Sequence, residues 1–224
     1  MAVLASGNGS NLQAIIDRVK SGTLAVNVAL VISDQPRARA LERARAARIE
    51  TRLISPVDFS GPEDWNEAIS SALTDARIDF VVLAGFMRII GTAVLDAFPG
   101  RILNIHPSIL PKYPGLDTYA RVLAAGDKEH GTSVHFVTEQ LDGGPLIAQA
   151  VIPVSKADDE QSLRTRIQAT EHWLYPLVLG WIASGRVVMR ESATWLDGKR
   201  LAEPLRFTED GPDTPATAVR PAAT

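Results

Sequence analysis

The chain has 224 residues, enough for one large domain or a domain with an extension. An apolar fraction of 46% and a charged fraction of 22% match soluble globular proteins and exclude a wholly disordered chain. The 23 Lys and Arg against 26 Asp and Glu leave a net charge of −3, which argues against a nucleic-acid partner; the lack of cysteine excludes disulfide scaffolds, Cys-ligated zinc, iron–sulfur clusters and thiol catalysis.

In chain order, Ala2–Ala5 is a short apolar run that reads as a buried strand. Leu12, Ile15, Ile16 and Val19 then fall at helical spacing. Val26–Ile32 reads as a second strand, and the Ala/Arg-rich run from Pro36 to Arg48 as a helix with proline near its start. Thr51–Ile54 is a third strand, and Trp65, Ile69, Ala72 and Leu73 mark the next helix. Phe80–Ala84 is a buried strand. Thr92–Phe98 is a short helix stopped by Pro99-Gly100, and Ile102–Ile105 is a fifth strand. Apolar strands alternating with helices predict an α/β fold: an open, mostly parallel twisted sheet with helices on both faces.

The second half reads differently. Pro107, Pro111 and Pro114 require an extended loop. Thr118–Ala125 fits a short helix. Thr132–Val137 and Leu146–Val154 are strands on either side of the turn Leu141-Asp142-Gly143-Gly144-Pro145, so mixed strands are expected here. Glu160–Ser184 is a long helix, bent at Pro176. Short strands at Arg186–Met189, Thr194–Leu196 and Lys199–Leu201 follow. The expected organisation is a single domain over 1–207, with a nucleotide-phosphate half to about residue 100 and a catalytic half after it. The composition of 208–224 predicts a disordered tail. No basic n-region precedes an apolar core, and the longest apolar stretch, His172 to Ala183, is too short for a bilayer. A cytoplasmic protein without membrane contact is therefore expected.

Ligands of an open parallel sheet bind beyond the carboxyl ends of its strands. After the first strand, Ser6-Gly7-Asn8-Gly9-Ser10-Asn11 opens a helix. Free N–H groups there suit a phosphate, and an ordinary turn capped by Ser10 is the other reading. Leu12 stands where a dinucleotide fingerprint needs glycine. After the fifth strand comes Asn104-Ile105-His106-Pro107, and positions 104 and 106 point the same way. An amide can donate to a developing oxyanion, and an imidazole can move a proton near neutral pH. The other reading is a strand-end His bonded to a loop carbonyl. Asp142 either shapes its turn or raises the pKa of an imidazole. The loop Gly85–Ile90 can line a pocket for a flat ring or simply pack in the core. His135 reads as a hydrogen-bonded structural residue. No metal-ligand constellation appears.

At SGNGSNLQAII (6–16), VVLAGFMRII (81–90), LNIHPSILPKYPGL (103–116), HGTSVHFV (130–137) and LDGGP (141–145), the sequence resembles the phosphoribosylglycinamide formyltransferase family, also called glycinamide ribonucleotide transformylase, over about residues 2 to 203. The resemblance implies a Rossmann-like formyltransferase fold. It implies formyl transfer from 10-formyltetrahydrofolate, a co-substrate, to the amine of glycinamide ribonucleotide in purine synthesis. Carried over by motif, Gly9, Ser10 and Asn11 hold the substrate phosphate, and Gln168, Ala169, Thr170 and Glu171 lie at its ribose. Met87, Arg88, Ile89 and Ile90, with Thr138, Glu139, Gln140 and Leu141, wall the folate pocket beside Asn104. Asn104, His106 and Asp142 match the catalytic trio, with Asp142 keeping His106 charged. Two small-molecule substrates, no metal and no nucleic acid are implied, and a homodimer is compatible with the chain.

The chain departs from the family pattern in two places. Asp58–Asn66 has no Arg on the folate side, with Pro62 near the expected place and Arg52 as a substitute. Leu116-Asp117-Thr118-Tyr119 stands where histidines are common. The rival readings are formyltetrahydrofolate hydrolase, which carries an extra domain before this one; methionyl-tRNA formyltransferase, which carries one after it; and a non-catalytic folate- or nucleotide-binding module.

Overall fold

The computed structural model of the chain describes residues 1–211. β1 (Ala2–Leu4) leads into α1 (Ser10–Lys20), and β2 (Leu30–Ser33) into α2 (Arg39–Ala46). β3 (Glu50–Leu53) is followed by a 3-10 turn at Pro56–Asp58 and α3 (Pro62–Asp75). β4 (Val81–Leu83), α4 (Thr92–Ala97) and β5 (Ile102–His106) complete the first half. α5 (Thr118–Ala125), β6 (Glu129–Phe136), β7 (Leu146–Pro153) and α6 (Glu160–Ala183) come next. The described chain closes with β8 (Val187–Arg190), β9 (Ala193–Leu196), β10 (Lys199–Arg200) and β11 (Leu205–Thr208).

An eight-stranded sheet runs β11-β7-β6-β5-β4-β1-β2-β3, and β8, β9 and β10 form a separate antiparallel sheet. From β3 to β5 every pairing is parallel, whereas β5–β6 and β6–β7 are antiparallel. Strand alternation builds the layers. Val3, Val31, Val82, Leu103 and Ile105 enter one core with α1, α2 and α6. Ala2, Leu4, Leu30, Ile32, Val81, Leu83 and Ile102 enter the other with α3 and α4. Both faces are covered, as uninterrupted apolar strands require.

Several boundaries differ from the sequence reading. β2 begins at Leu30 because its partner β1 begins at Ala2, opposite Leu30, so the preceding residues reach only Met1, through the Ala29 N–H on its carbonyl and its amino group on the Asn27 carbonyl. Pro36 lies in a turn closed by Ala38 N–H on the Gln35 carbonyl, and α2 starts only at Arg39. β6 begins at Glu129, where Gly131 packs against the Ala150 backbone too closely for any Cβ. α6 continues through Pro176 as one helix. β11 adds a parallel edge strand on β7 that the sequence reading did not place. Thr208, read as the first tail residue, ends that strand, and Glu209 binds Arg166 at 2.9 Å and accepts the Trp173 indole N–H at 3.3 Å. The remainder of the expected tail, 212–224, lies outside the described residues. None of the described helices is long and apolar enough to cross a membrane.

One buried side chain ties α6 to the sheet. The fully buried Tyr175 hydroxyl lies 3.0 Å from the carbonyl of Leu83, the last residue of β4, and 3.1 Å from that of Leu103 in β5. Removing this donor leaves buried acceptors short of a partner, so Tyr175→Phe should lose about 1–2 kcal/mol in urea denaturation. An unchanged midpoint would refute this bridging role.

Candidate active site

β5 delivers the first two groups. Leu103 and Ile105 turn into one core, so Asn104 and His106 fall on the other side, in line with Ile102. Both reach Asp142. The His106 Nδ1 lies 3.4 Å from Asp142 Oδ2, and Asn104 Nδ2 donates to Asp142 Oδ1 at 3.4 Å. Asp142 adopts φ 50 in its turn, where Gly144 packs on the Phe136 carbonyl too tightly for a side chain. Oδ2 also accepts the Gly115 N–H at 2.8 Å.

The other imidazole nitrogen of His106 is also occupied. Nε2 donates to the Tyr113 carbonyl at 2.9 Å. The strand-end His bonded to a loop carbonyl and the His beside a carboxylate are therefore the same residue. With Nε2 holding a hydrogen, Nδ1 is the position at which His106 gains or loses its proton.

β6 runs antiparallel to β5 and sets His135 opposite Asn104. The ladder is irregular between Val134 and His135, a feature that commonly re-aims a side chain near a site. His135 Nδ1 donates to the Phe136 carbonyl at 2.8 Å, so its Nε2 accepts from Asn104 Nδ2 at 3.2 Å. That Nε2 is also 3.7 Å from Asp142 Oδ1. His135 is thus structural, and it also touches the trio.

The glycine loop after β1 is shaped for close approach. Gly9 has φ 71 and caps α1, and a Cβ there would stand 2.8 Å from the Ala40 backbone. Arg43 of α2 braces the loop through the Asn8 carbonyl at 2.8 Å and the Asn8 side chain at 3.2 Å. The first-turn N–H groups beginning at Ser10 have no intrahelical partner, as at any helix start. Asn11 turns inward and donates to Glu171 Oε2 at 2.9 Å. Glu171 Oε1 is 3.5 Å from the Thr132 hydroxyl, which donates to the His106 carbonyl at 2.9 Å. The glycine loop, α6, β6 and β5 are thereby linked. Thr170 is buried with its hydroxyl on the Ile167 carbonyl, Gln168 is half-buried and Ala169 is exposed, so Glu171 is the charged group this segment brings inward.

Of the expected folate wall, Met87, Ile89 and Leu141 are 64%, 71% and 57% exposed, whereas Ile90 is buried. Thr138 is half-buried, and Glu139 and Gln140 are exposed. Arg88 binds the buried Asp34 at 3.1 Å, and the Met87 N–H donates to the Ser6 hydroxyl at 2.9 Å. The loops after β1, β2 and β4 are therefore cross-linked. Pro62 starts α3, and Arg52 pairs with Glu50 at 3.1 Å on the edge strand β3, separated from β5 by β4, β1 and β2. Asp34, Arg43, Tyr113 and Thr132 escaped the sequence reading. Asp34 had a usable signal, the carboxyl end of β2; Tyr113 acts through a backbone carbonyl, which no residue type announces.

Burial lowers the His106 pKa more than the Tyr113 carbonyl and Asp142 raise it. Asp142 thus favours the charged imidazole, as expected, but against a larger effect of burial. Burial alone would raise the Asp142 pKa, but its contacts to His135, the Gly115 N–H and His106 hold it below the ordinary carboxylate range. Glu171 is pushed up to about 7 by burial, which its bonds to Asn11 and Thr132 only partly offset. A carboxyl with a raised folded pKa stabilises the fold less as pH rises from its unfolded pKa through its folded one. Gln mimics the protonated form, so Glu171→Gln should gain about 3 kcal/mol relative to the parent between pH 5 and 8 without substrate. Paired urea titrations check it, and a pH-independent difference would refute it. Among the described residues, no group of His, Asp and Glu is arranged to hold a metal ion.

Comparisons with known proteins bear on this geometry. Residues 1–179 match the family described as formyl transferase. The phosphoribosylglycinamide formyltransferase of Escherichia coli (strain K12) is 51% identical over 201 residues, 90% of this chain and 95% of that one. The structure of phosphoribosylglycinamide formyltransferase from Coxiella burnetii superposes with a TM-score of 0.88 at 45% identity, covering 92% of this chain and 97% of that one. A formyltetrahydrofolate deformylase from Pseudomonas syringae pv. tomato gives 0.81 at 26% identity, covering 87% of this chain and 64% of that one. The family match runs from β1 past Glu171 and so spans every element of the site: the chain belongs to the formyl transferases, in the phosphoribosylglycinamide formyltransferase family.

Proposed function

We propose that the chain transfers a formyl group from 10-formyltetrahydrofolate to the amine of N1-(5-phospho-D-ribosyl)glycinamide, a step of purine biosynthesis, with Asn104, His106 and Asp142 as its catalytic groups. The observation that carries the assignment of residues is one carboxylate, Asp142, in contact with both the amide of Asn104 and the imidazole of His106 at the carboxyl end of β5. Two substrates of different character suit the surroundings. The first turn of α1, with Gly9 allowing close approach, suits a phosphate. The exposed Met87, Ile89 and Leu141 suit the flat apolar ring of a folate.

The reaction joins an amine to a formyl carbon and places negative charge on the formyl oxygen. Asn104 Nδ2 can donate to that oxygen by giving up its long, 3.4 Å bond to Asp142 Oδ1. Removal of one such donor costs a factor of about 100 to 1,000 in rate. The attacking amine must lose a proton, and His106 Nδ1, which carries none in the neutral ring, is the nitrogen that can receive it. Once protonated there, the imidazolium forms an ion pair with Asp142 Oδ2 and adds positive charge beside the oxyanion. The pair can then return the proton, through water, to the departing folate nitrogen. Glu171 lies next to Asn11 of the phosphate loop, which suits it to accept from a ribose hydroxyl.

Folate absorbance followed with and without the nucleotide tests the whole reading. Deformylation should require the nucleotide. Turnover without it would instead identify a hydrolase, and no turnover by folded protein would leave a binding module. His106→Ala should abolish transfer while leaving the affinity for both substrates within a few-fold; near-parental activity would refute the catalytic assignment.

A further inference from the structure

We propose that Tyr113 and Asp127 are positioning residues for the transfer reaction: the bond from the Tyr113 hydroxyl to Asp127 fixes the Tyr113 carbonyl against Nε2 of His106. The proposal rests on His106 as the catalytic imidazole. Tyr113 has φ 55, a left-handed conformation that bulky residues adopt only when their surroundings enforce it. The enforcing contacts are on its side chain. The hydroxyl donates to Asp127 Oδ2 at 3.0 Å, and Lys112 Nζ donates to the same oxygen at 2.8 Å. The Arg121 guanidinium lies over the ring, 5.3 Å from its centroid, and the His130 ring packs edge-on against it with the centroids 6.3 Å apart.

The position of Tyr113 in its loop gives this anchor its consequence. Its carbonyl takes His106 Nε2 at 2.9 Å, and two residues on, the Gly115 N–H gives to Asp142 Oδ2 at 2.8 Å. The segment 113–115 therefore holds both ends of the His106–Asp142 pair. Asp127 lies outside that loop, just before β6, so it anchors the segment from a separate part of the chain. The bond lies at a surface cleft of about 450 Å³ lined also by Ile109 and Lys128, so removing it opens no hole in the core. The transfer chemistry does not require a tyrosine hydroxyl at this place, and the sequence motif LNIHPSILPKYPGL names the residue without saying what its side chain does.

The charged and titratable groups around His106 are Asp142, His135 and Arg121, with His130 behind. Those around Tyr113 are Asp127, Lys112, Arg121 and His130. Burial and the nearby His106 push His130 down to about 4, so it stays neutral through the working range. The Tyr113 carbonyl favours the protonated form of His106, against the larger effect of burial. Loosening that carbonyl therefore moves the His106 titration to lower pH.

The test uses Tyr113→Phe, Asp127→Asn and the double variant, with His106→Ala in parallel. Tyr113→Phe keeps the ring and the carbonyl and deletes only the hydroxyl; Asp127→Asn weakens the same bond from the other side. Each should lower kcat about tenfold with both KM values within about twofold, since a misplaced catalytic group costs rate rather than binding. The pH limb that reports His106 should move to lower pH in each, and the double variant should be no worse than the singles, as for one shared interaction. Unchanged kcat and pH limb in folded Tyr113→Phe and Asp127→Asn would overturn the proposal. A drop in kcat with an unmoved limb would overturn it too, by showing a general structural effect. If His106→Ala is as active as the parent, the reading of His106 itself fails.

Discussion

Asp142 is the carboxylate on which the site is organised. From a left-handed turn at φ 50, its Oδ1 faces Asn104 and His135, and its Oδ2 faces His106 and the Gly115 N–H. The groups it gathers come from β5, β6 and the proline-rich loop. A carboxylate taken this far out of water survives as a charge only with such partners. Its lowered pKa shows that the contacts outweigh burial. The topology makes the gathering possible. β5 is the last strand of the parallel run, and the antiparallel return of β6 sets His135 directly against Asn104.

The charge balance of the site follows from that one anion. Burial holds His106 below the usual imidazole pKa, so near neutrality the ring is mostly uncharged. With Nε2 committed to the Tyr113 carbonyl, a neutral ring points the lone pair of Nδ1 at the Asp142 carboxylate. Two electron-rich atoms then face each other at a distance that a proton would turn into an ion pair. In the proposed transfer, the imidazole is thus disposed to take a proton at the moment the amine must give one up.

The parallel core was legible in the sequence because β1 and β4 are buried on both faces and therefore apolar throughout. Where pairing rather than burial sets a boundary, the sequence was silent: β2 starts at Leu30 only because β1 starts at Ala2. β11 is a short edge strand with alternating half-buried and exposed residues, too brief to stand out beside Pro204. The site divides in the same way. Asn104 and His106 announce themselves through the two-residue period of a strand. Their approach to Asp142 depends on a tertiary contact that spacing cannot supply, and it was read from the family resemblance. Tyr113, Arg43 and Asp34 act by holding backbone or other side chains, work for which many residue types serve, so no local pattern marks them.

α6 connects these parts. Glu171 and Tyr175 are four residues apart and so share a helix face. Tyr175 bonds the Leu83 carbonyl of β4 and the Leu103 carbonyl of β5, which fixes the helix relative to the strands carrying the site. Glu171, one turn earlier, then falls between Asn11 at the start of α1 and Thr132 beside the His106 backbone. A neutral Glu171 is tolerated there and an ionised one is costly, since no cation pairs with it in the described contacts. Apolar packing alone would have stabilised the helix better with Leu or Met at that position. A carboxyl retained at such a cost, and set one turn from the residue that fixes the helix in register, is what a site needs when it must hold a polar ligand between two strand ends.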